Sequence, residues 1–203
     1  LTDLMGRLGV EDDVRAVVLT GEGRAFSAGG DIDMFHDLAG DVARVRPHLG
    51  RVYDAFHAVE RCAVPVVAAV NGLAYGGGTE LALACDIVLA GQSARFAFKE
   101  PDVGLQPGFG IVRGPQAIGR HWTAYLAFTG REVDPSRALA MGLVQEVHPD
   151  DVLLDRAVAI AREIAAKPPL AVQVGKAFVN RDGTAGLSES VEATALLFGT
   201  EEH

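Results

Sequence analysis

Apolar residues in this chain fall into two kinds of block. Residues 15–20 (Arg-Ala-Val-Val-Leu-Thr) and 64–70 (Val-Pro-Val-Val-Ala-Ala-Val) are near-continuous apolar runs of strand length, the pattern of strands buried on both faces. Residues 86–90, 95–98 and 143–147 read as further short strands. Elsewhere apolar positions recur at helical spacing. Residues 1–8 present Leu4, Met5 and Leu8 on one face and stop at Gly9, and residues 42–59 read as helix despite Pro47 and Gly50. Shorter helices are predicted over 77–85, 122–128 and 135–141. Asp150 is placed to cap a long amphipathic helix ending at residue 165, Pro168-Pro169 opens another over 170–179, and residues 187–198 form the last. Strands and helices alternate over the first two thirds, and the rest is mostly helical. The pattern predicts an α/β fold, with a core over residues 1–134 and a helical, subunit-contacting appendage over 135–203. No sequence period is clear enough to define a repeat. Both ends look cut: the chain opens inside a helix at Leu1 and stops abruptly at His203, a pattern that leaves room for a targeting segment not included here.

With 203 residues, 49% of them hydrophobic, the chain can fill a sizeable core. The net charge of −9, and lysine only at positions 99, 167 and 176, argue against nucleic acid as a partner, because phosphate binding needs clustered cations. No apolar run reaches the length of a membrane span, and the expected location is the cytoplasm. Cys62 and Cys85 match no metal or redox spacing and read as buried thiols. His36, His48, His57, His121 and His148 are scattered, so each reads as a surface or satisfied core group and no metal is expected.

The glycines change this picture from fold to chemistry. Gly76-Gly77-Gly78-Thr79-Glu80 follows the strand at 64–70 and the turn Asn71-Gly72, and a helix begins at the glycines. A glycine junction lets main-chain N–H groups approach a ligand closely. A helix start adds unpaired donors and a positive dipole end. A second glycine-rich loop, residues 21–31, ends in Ser27-Ala28-Gly29-Gly30-Asp31 after the strand at 15–20. Alone, each cluster fits a tight turn. If parallel strands bring both together, one N–H from each can clamp a single oxygen as an oxyanion hole. Two carboxylates accompany them. Glu80 lies in the first turn of its helix, where it also suits the dipole, and Glu100 follows a strand, where it also suits a pairing with Lys99. Two carboxylates facing one cavity resist joint ionisation, so one can serve as acid while the other serves as base.

Taken together, residues 15–31, 65–86 and 96–110 resemble the crotonase superfamily, also called the enoyl-CoA hydratase/isomerase family. Weaker similarity continues through Phe128-Thr129-Gly130-Arg131, residues 138–144 and residues 165–169, in the same order. The resemblance implies a spiral of strand-strand-helix units, with an N-terminal strand and a final helix not seen here. It implies that the N–H groups of Gly30 and Gly77 bind a thioester carbonyl oxygen, and that Glu80 and Glu100 are the catalytic acids. Ala28, Gly30, Asp31 and Ile32 match the strand that contacts coenzyme A, Gly77 faces the same ligand, and Arg24 is a candidate for its phosphates. Coenzyme A enters as part of the substrate, with no prosthetic group, and a homotrimer or hexamer is implied.

The expected activity is hydration of a 2-enoyl-CoA thioester. An isomerase or decarboxylase of the same superfamily is the nearest alternative, and an RNA-binding or non-catalytic acyl-CoA-binding member the more distant one. Both acids are present, which a mere binder would not need. Departures cluster in one place. Pro101 follows Glu100, and Ile111-Val112-Arg113-Gly114-Pro115 follows Pro107-Gly108-Phe109-Gly110 in place of the usual, longer segment, which alters the acyl-pocket wall. Gly108 stands where dienoyl isomerases carry Asp, arguing against that subgroup. Ser27 lacks a nucleophile-elbow context, no dinucleotide fingerprint follows the first strand, and Phe109 and Trp122 read as core or pocket lining.

Overall fold

The computed structural model describes residues 1–31, 33, 34, 37 and 41–180. Ile32, His36 and the helix expected over 187–198 lie outside the described residues. In chain order the elements are α1 (Thr2–Leu8), β1 (Val17–Thr20), β2 (Ala25–Ser27), α2 (Val42–Glu60), β3 (Val66–Val70), β4 (Leu73–Tyr75), α3 (Gly77–Leu83), β5 (Ile87–Gly91) and β6 (Arg95–Ala97). A short 3₁₀ turn (Glu100–Val103) precedes α4 (Gly110–Ala117), α5 (Gly119–Thr129), α6 (Pro135–Ala140), β7 (Glu146–His148), α7 (Leu153–Ala165) and α8 (Pro169–Val179).

The odd strands form one parallel sheet in the order β1-β3-β5-β7, and the even strands form a second, β2-β4-β6. Each successive strand pair therefore contributes one strand to each sheet, and the chain winds as a spiral of strand-strand-helix units. Every residue of β3 is buried, because β1 and β5 flank it and helices cover it. That is why residues 64–70 read as an unbroken apolar run. β2 and β4 are three residues each and were not separable from their glycine-rich surroundings in the sequence.

One boundary differs from expectation for an identifiable reason. The helix expected to be capped by Asp150 begins at Leu153 with no side-chain cap, and Asp150 instead accepts a hydrogen bond from Ser93 N at 3.0 Å. β7, beyond residue 134, completes the four-stranded sheet against β5, and Leu153 and Ala157 of α7 pack with Val67, Ala69 and Leu89.

The last described helix is tied down by charge. Lys176 of α8 is buried and its Nζ lies 2.7 Å from Asp86 Oδ2, which also accepts from Val66 N at the start of β3. Lys176 further donates to Val64 O at 3.0 Å. Breaking one side of a buried ion pair leaves the other charge uncompensated, which typically costs about 3–5 kcal/mol. Lys176→Met is therefore expected to lower unfolding free energy by about that amount, read from urea midpoints at constant m value.

Candidate active site

The site is assembled where the second sheet meets the start of α3. Gly76 adopts φ +51°, and its N–H donates to Ala97 O at 2.8 Å, so β4 is tied to the end of β6 just before α3 begins. A side chain at this φ would be strained, and a Cβ there would also come within 2.7 Å of Glu100 Oε1. Gly29, at φ +92°, approaches the same junction from the end of β2; a Cβ built on it would sit 3.4 Å from Gly77 N. The two glycine loops, 48 residues apart (77 − 29), are thus in contact at Gly77. A Cβ at Gly78 would collide with Ser27 O, so α3 is pressed against β2. Thr79 is fully buried. Its hydroxyl donates to Ala74 O at 2.6 Å and accepts from Ala97 N at 3.3 Å, fixing α3 to both neighbouring strands.

Glu80 is 4% exposed. Its carboxylate does not serve its own helix. Oε1 accepts from Phe109 N at 2.9 Å and Gly110 N at 2.8 Å, the first donors of α4. Burial pushes the Glu80 pKa up, and these two N–H bonds oppose that shift. The donors are held in turn by packing. Phe109 is buried, with its ring edge-on to Phe56 at 5.2 Å and to His57 at 5.6 Å, and Arg113 lies over its face. Arg113 Nε is 2.7 Å from Glu60 Oε1, which links α4 to α2.

Glu100 lies across from this group, beside Gly76. Lys99 does not pair with it; Lys99 reaches Asp102 at 3.3 Å and Gly130 O at 2.9 Å. Glu100 Oε2 is buried without a hydrogen-bond partner among the described residues. Burial raises the Glu100 pKa to about 7; its own main-chain N–H works against this and the Glu80 charge adds to it. The two acids are consequently unlike: both are buried, but one is braced by two amides while the other keeps an unpartnered oxygen among the described residues.

Of the residues expected to meet coenzyme A, Ala28, Gly30 and Asp31 form an exposed edge next to Gly29. The Asp31 carboxylate accepts from Asp33 N at 2.9 Å and Met34 N at 3.3 Å, a local turn. Arg24 is exposed but precedes β2, at the opposite end of that strand from Gly30. Sequence reasoning missed the main-chain donors of Phe109 and Gly110, which leave no side-chain signature. It also missed Thr79 and Tyr53, which are unremarkable residues in helical stretches. Among the described residues, no group of three or more His, Cys, Asp or Glu side chains is placed to hold a metal, and no helix is long and apolar enough to cross a membrane.

Parallel strands of two interleaved sheets thus bring two glycine loops and two carboxylates to one junction. The family described as enoyl-CoA hydratase/isomerase matches residues 1–203, and the chain belongs to it. It is 42% identical over 188 residues to the human mitochondrial protein named Delta(3,5)-Delta(2,4)-dienoyl-CoA isomerase, covering 87% of this chain and 57% of that protein. The chain thus spans little more than half the length of that relative. To the Escherichia coli K12 2,3-dehydroadipyl-CoA hydratase it is 34% identical over 199 residues, covering 95% of this chain and 76% of that one. Its fold is similar to that of a Bacillus anthracis enoyl-CoA hydratase crystal structure, with TM-score 0.91, 34% identity and coverage of 98% and 79%.

Proposed function

We propose that the protein is an enoyl-CoA hydratase. The reading rests above all on the unlike acids flanking one glycine junction. The thioester oxygen is placed between the N–H groups of Gly30 and Gly77, which stabilise the negative charge that develops there as the enolate forms. Glu80, whose Oε1 takes two amide bonds that oppose the upward pull of burial, acts as the base: it holds a water and accepts its proton as oxygen bonds to Cβ. Glu100, with its pKa near 7, supplies the proton that Cα gains. Atoms balance as one water added across the double bond. The Ala28–Asp31 edge is assigned to coenzyme A, with Ile32 as a further contact; Arg24, at the far end of β2, is not assigned to it. No prosthetic group or metal takes part in this reading. Assembly into a homotrimer or hexamer is supported by large apolar side chains left exposed in the chain, Phe128 foremost.

A second reading, dienoyl-CoA isomerase, is favoured by the 42% identity to a protein of that name. There the same acids would move a proton along the acyl chain with no water added. Gly108, which offers no carboxylate at the position noted above, weighs against it. The test is turnover by the full-length protein of crotonyl-CoA beside a 3,5-dienoyl-CoA. Loss of the enoyl absorbance with a 3-hydroxyacyl product is expected from the first. Turnover of the dienoyl thioester alone would transfer the assignment to isomerisation.

A further inference from the structure

On the hydratase reading, with the thioester oxygen at Gly30 and Gly77 and Cα and Cβ between the acids, the carbons beyond Cβ would run past Glu80 and Glu100. The wall there is the segment leading into α4, whose Phe109 and Gly110 amides hold Glu80. The residue just before them is Gly108, and a Cβ built on it would collide with the hydroxyl of Tyr53. Tyr53 projects from α2 and is half-buried. Its ring packs against Phe56 at 6.4 Å between centroids, and Phe56 in turn packs on Phe109 and reaches within 3.6 Å of a Cβ built on Gly77. Burial and the charges of Glu80 and Glu100 all raise its pKa, so the phenol stands in the field of both acids. The phenol end of a helix-borne ring therefore fills the space that a side chain at position 108 would otherwise take.

We propose that Tyr53 is a specificity-determining residue: its ring closes the acyl pocket against Gly108 and limits the substrate to short acyl groups of crotonyl size. The proposal rests on the hydratase reading only for the direction of the acyl chain. Steric exclusion in a pocket is worth about 10–200-fold per unaccommodated group.

The experiment compares full-length parent, Tyr53→Phe and Tyr53→Ala by calorimetric Kd for butyryl-CoA and decanoyl-CoA, saturated thioesters that do not react. The parent is expected to prefer butyryl-CoA about tenfold or more. Tyr53→Ala should shift the decanoyl-to-butyryl ratio at least about tenfold toward the long chain, and Tyr53→Phe, which keeps the ring, less than about threefold. An Ala variant whose ratio stays within about threefold of the parent, or a parent that binds both equally, overturns the proposal. Gly108→Ala supplies a check on placement: it should lower the unfolding midpoint in the parent and much less in Tyr53→Ala. Equal losses in both backgrounds also overturn it. Because binding is read, failure of the hydratase reading has a different signature: no turnover of crotonyl-CoA with the chain-length ratio intact.

Discussion

Glu100→Gln is expected to lower crotonyl-CoA hydration by about a hundred- to ten-thousand-fold, the usual worth of a positioned acid, while making the protein more stable at pH 8. Both effects have one cause. The folded protein buries Glu100 with Oε2 unpartnered, and its pKa rises from 4.5 to about 7. A group bound more tightly to its proton in the folded state stabilises that state when protonated. This contribution is fully present below pH 4.5 and is lost as pH rises through about 7. Gln is neutral throughout, so the variant escapes the cost of the buried charge at pH 8 and gains nothing at pH 4. The parent's hydration rate should also fall as pH rises through about 7, since the proton given to Cα is then absent. Thermal unfolding and steady-state kinetics at both pH values check the pair. A variant that keeps parental activity removes Glu100 from the chemistry, and one destabilised at pH 8 removes the burial argument.

The sequence carried the acids and glycines clearly because each has a local mark. A glycine triplet after an apolar strand signals a close backbone approach, and Glu80 and Glu100 stand beside such signals. The central strands were legible for the same reason: burial on both faces leaves β3 without polar positions. What was not legible depends on contacts across the fold. β2 and β4 are too short for periodicity and exist because they pair with each other, and β4 in turn with β6. The partner of Glu80 is main chain at residues 109 and 110, which any residues but proline would supply. Glu100 read equally well as a partner of Lys99 until the fold sent Lys99 to Asp102 and Gly130. Tyr53 lies on a helix whose pattern explains it as ordinary amphipathic packing, and only its proximity to Gly108 sets it apart.

Gly77→Pro is expected to cut turnover by about a hundred- to a thousand-fold with the fold retained. Gly77 is the first residue of α3, the position where proline is best tolerated because its missing N–H has no helical partner. Gly76, with φ +51° and ψ −120°, mirrors the extended conformation that precedes proline, which a glycine adopts without strain. The substitution therefore deletes one donor and little else. Gly77→Ala separates the donor from the space around it. Among the described residues, a Cβ at this position meets Phe56 Cζ at 3.6 Å and Gly29 Cα at 3.8 Å, ordinary contacts, and the N–H remains. Proline should thus lose far more activity than alanine, and the loss should fall on kcat, because the charge the donor stabilises develops only as the enolate forms. Equal losses in the two variants, at matched Tm, would show that the amide of Gly77 is not a donor to the reacting oxygen. The glycine triplet would then be needed for close packing against β2, where Gly78 already abuts Ser27 O, and not for chemistry.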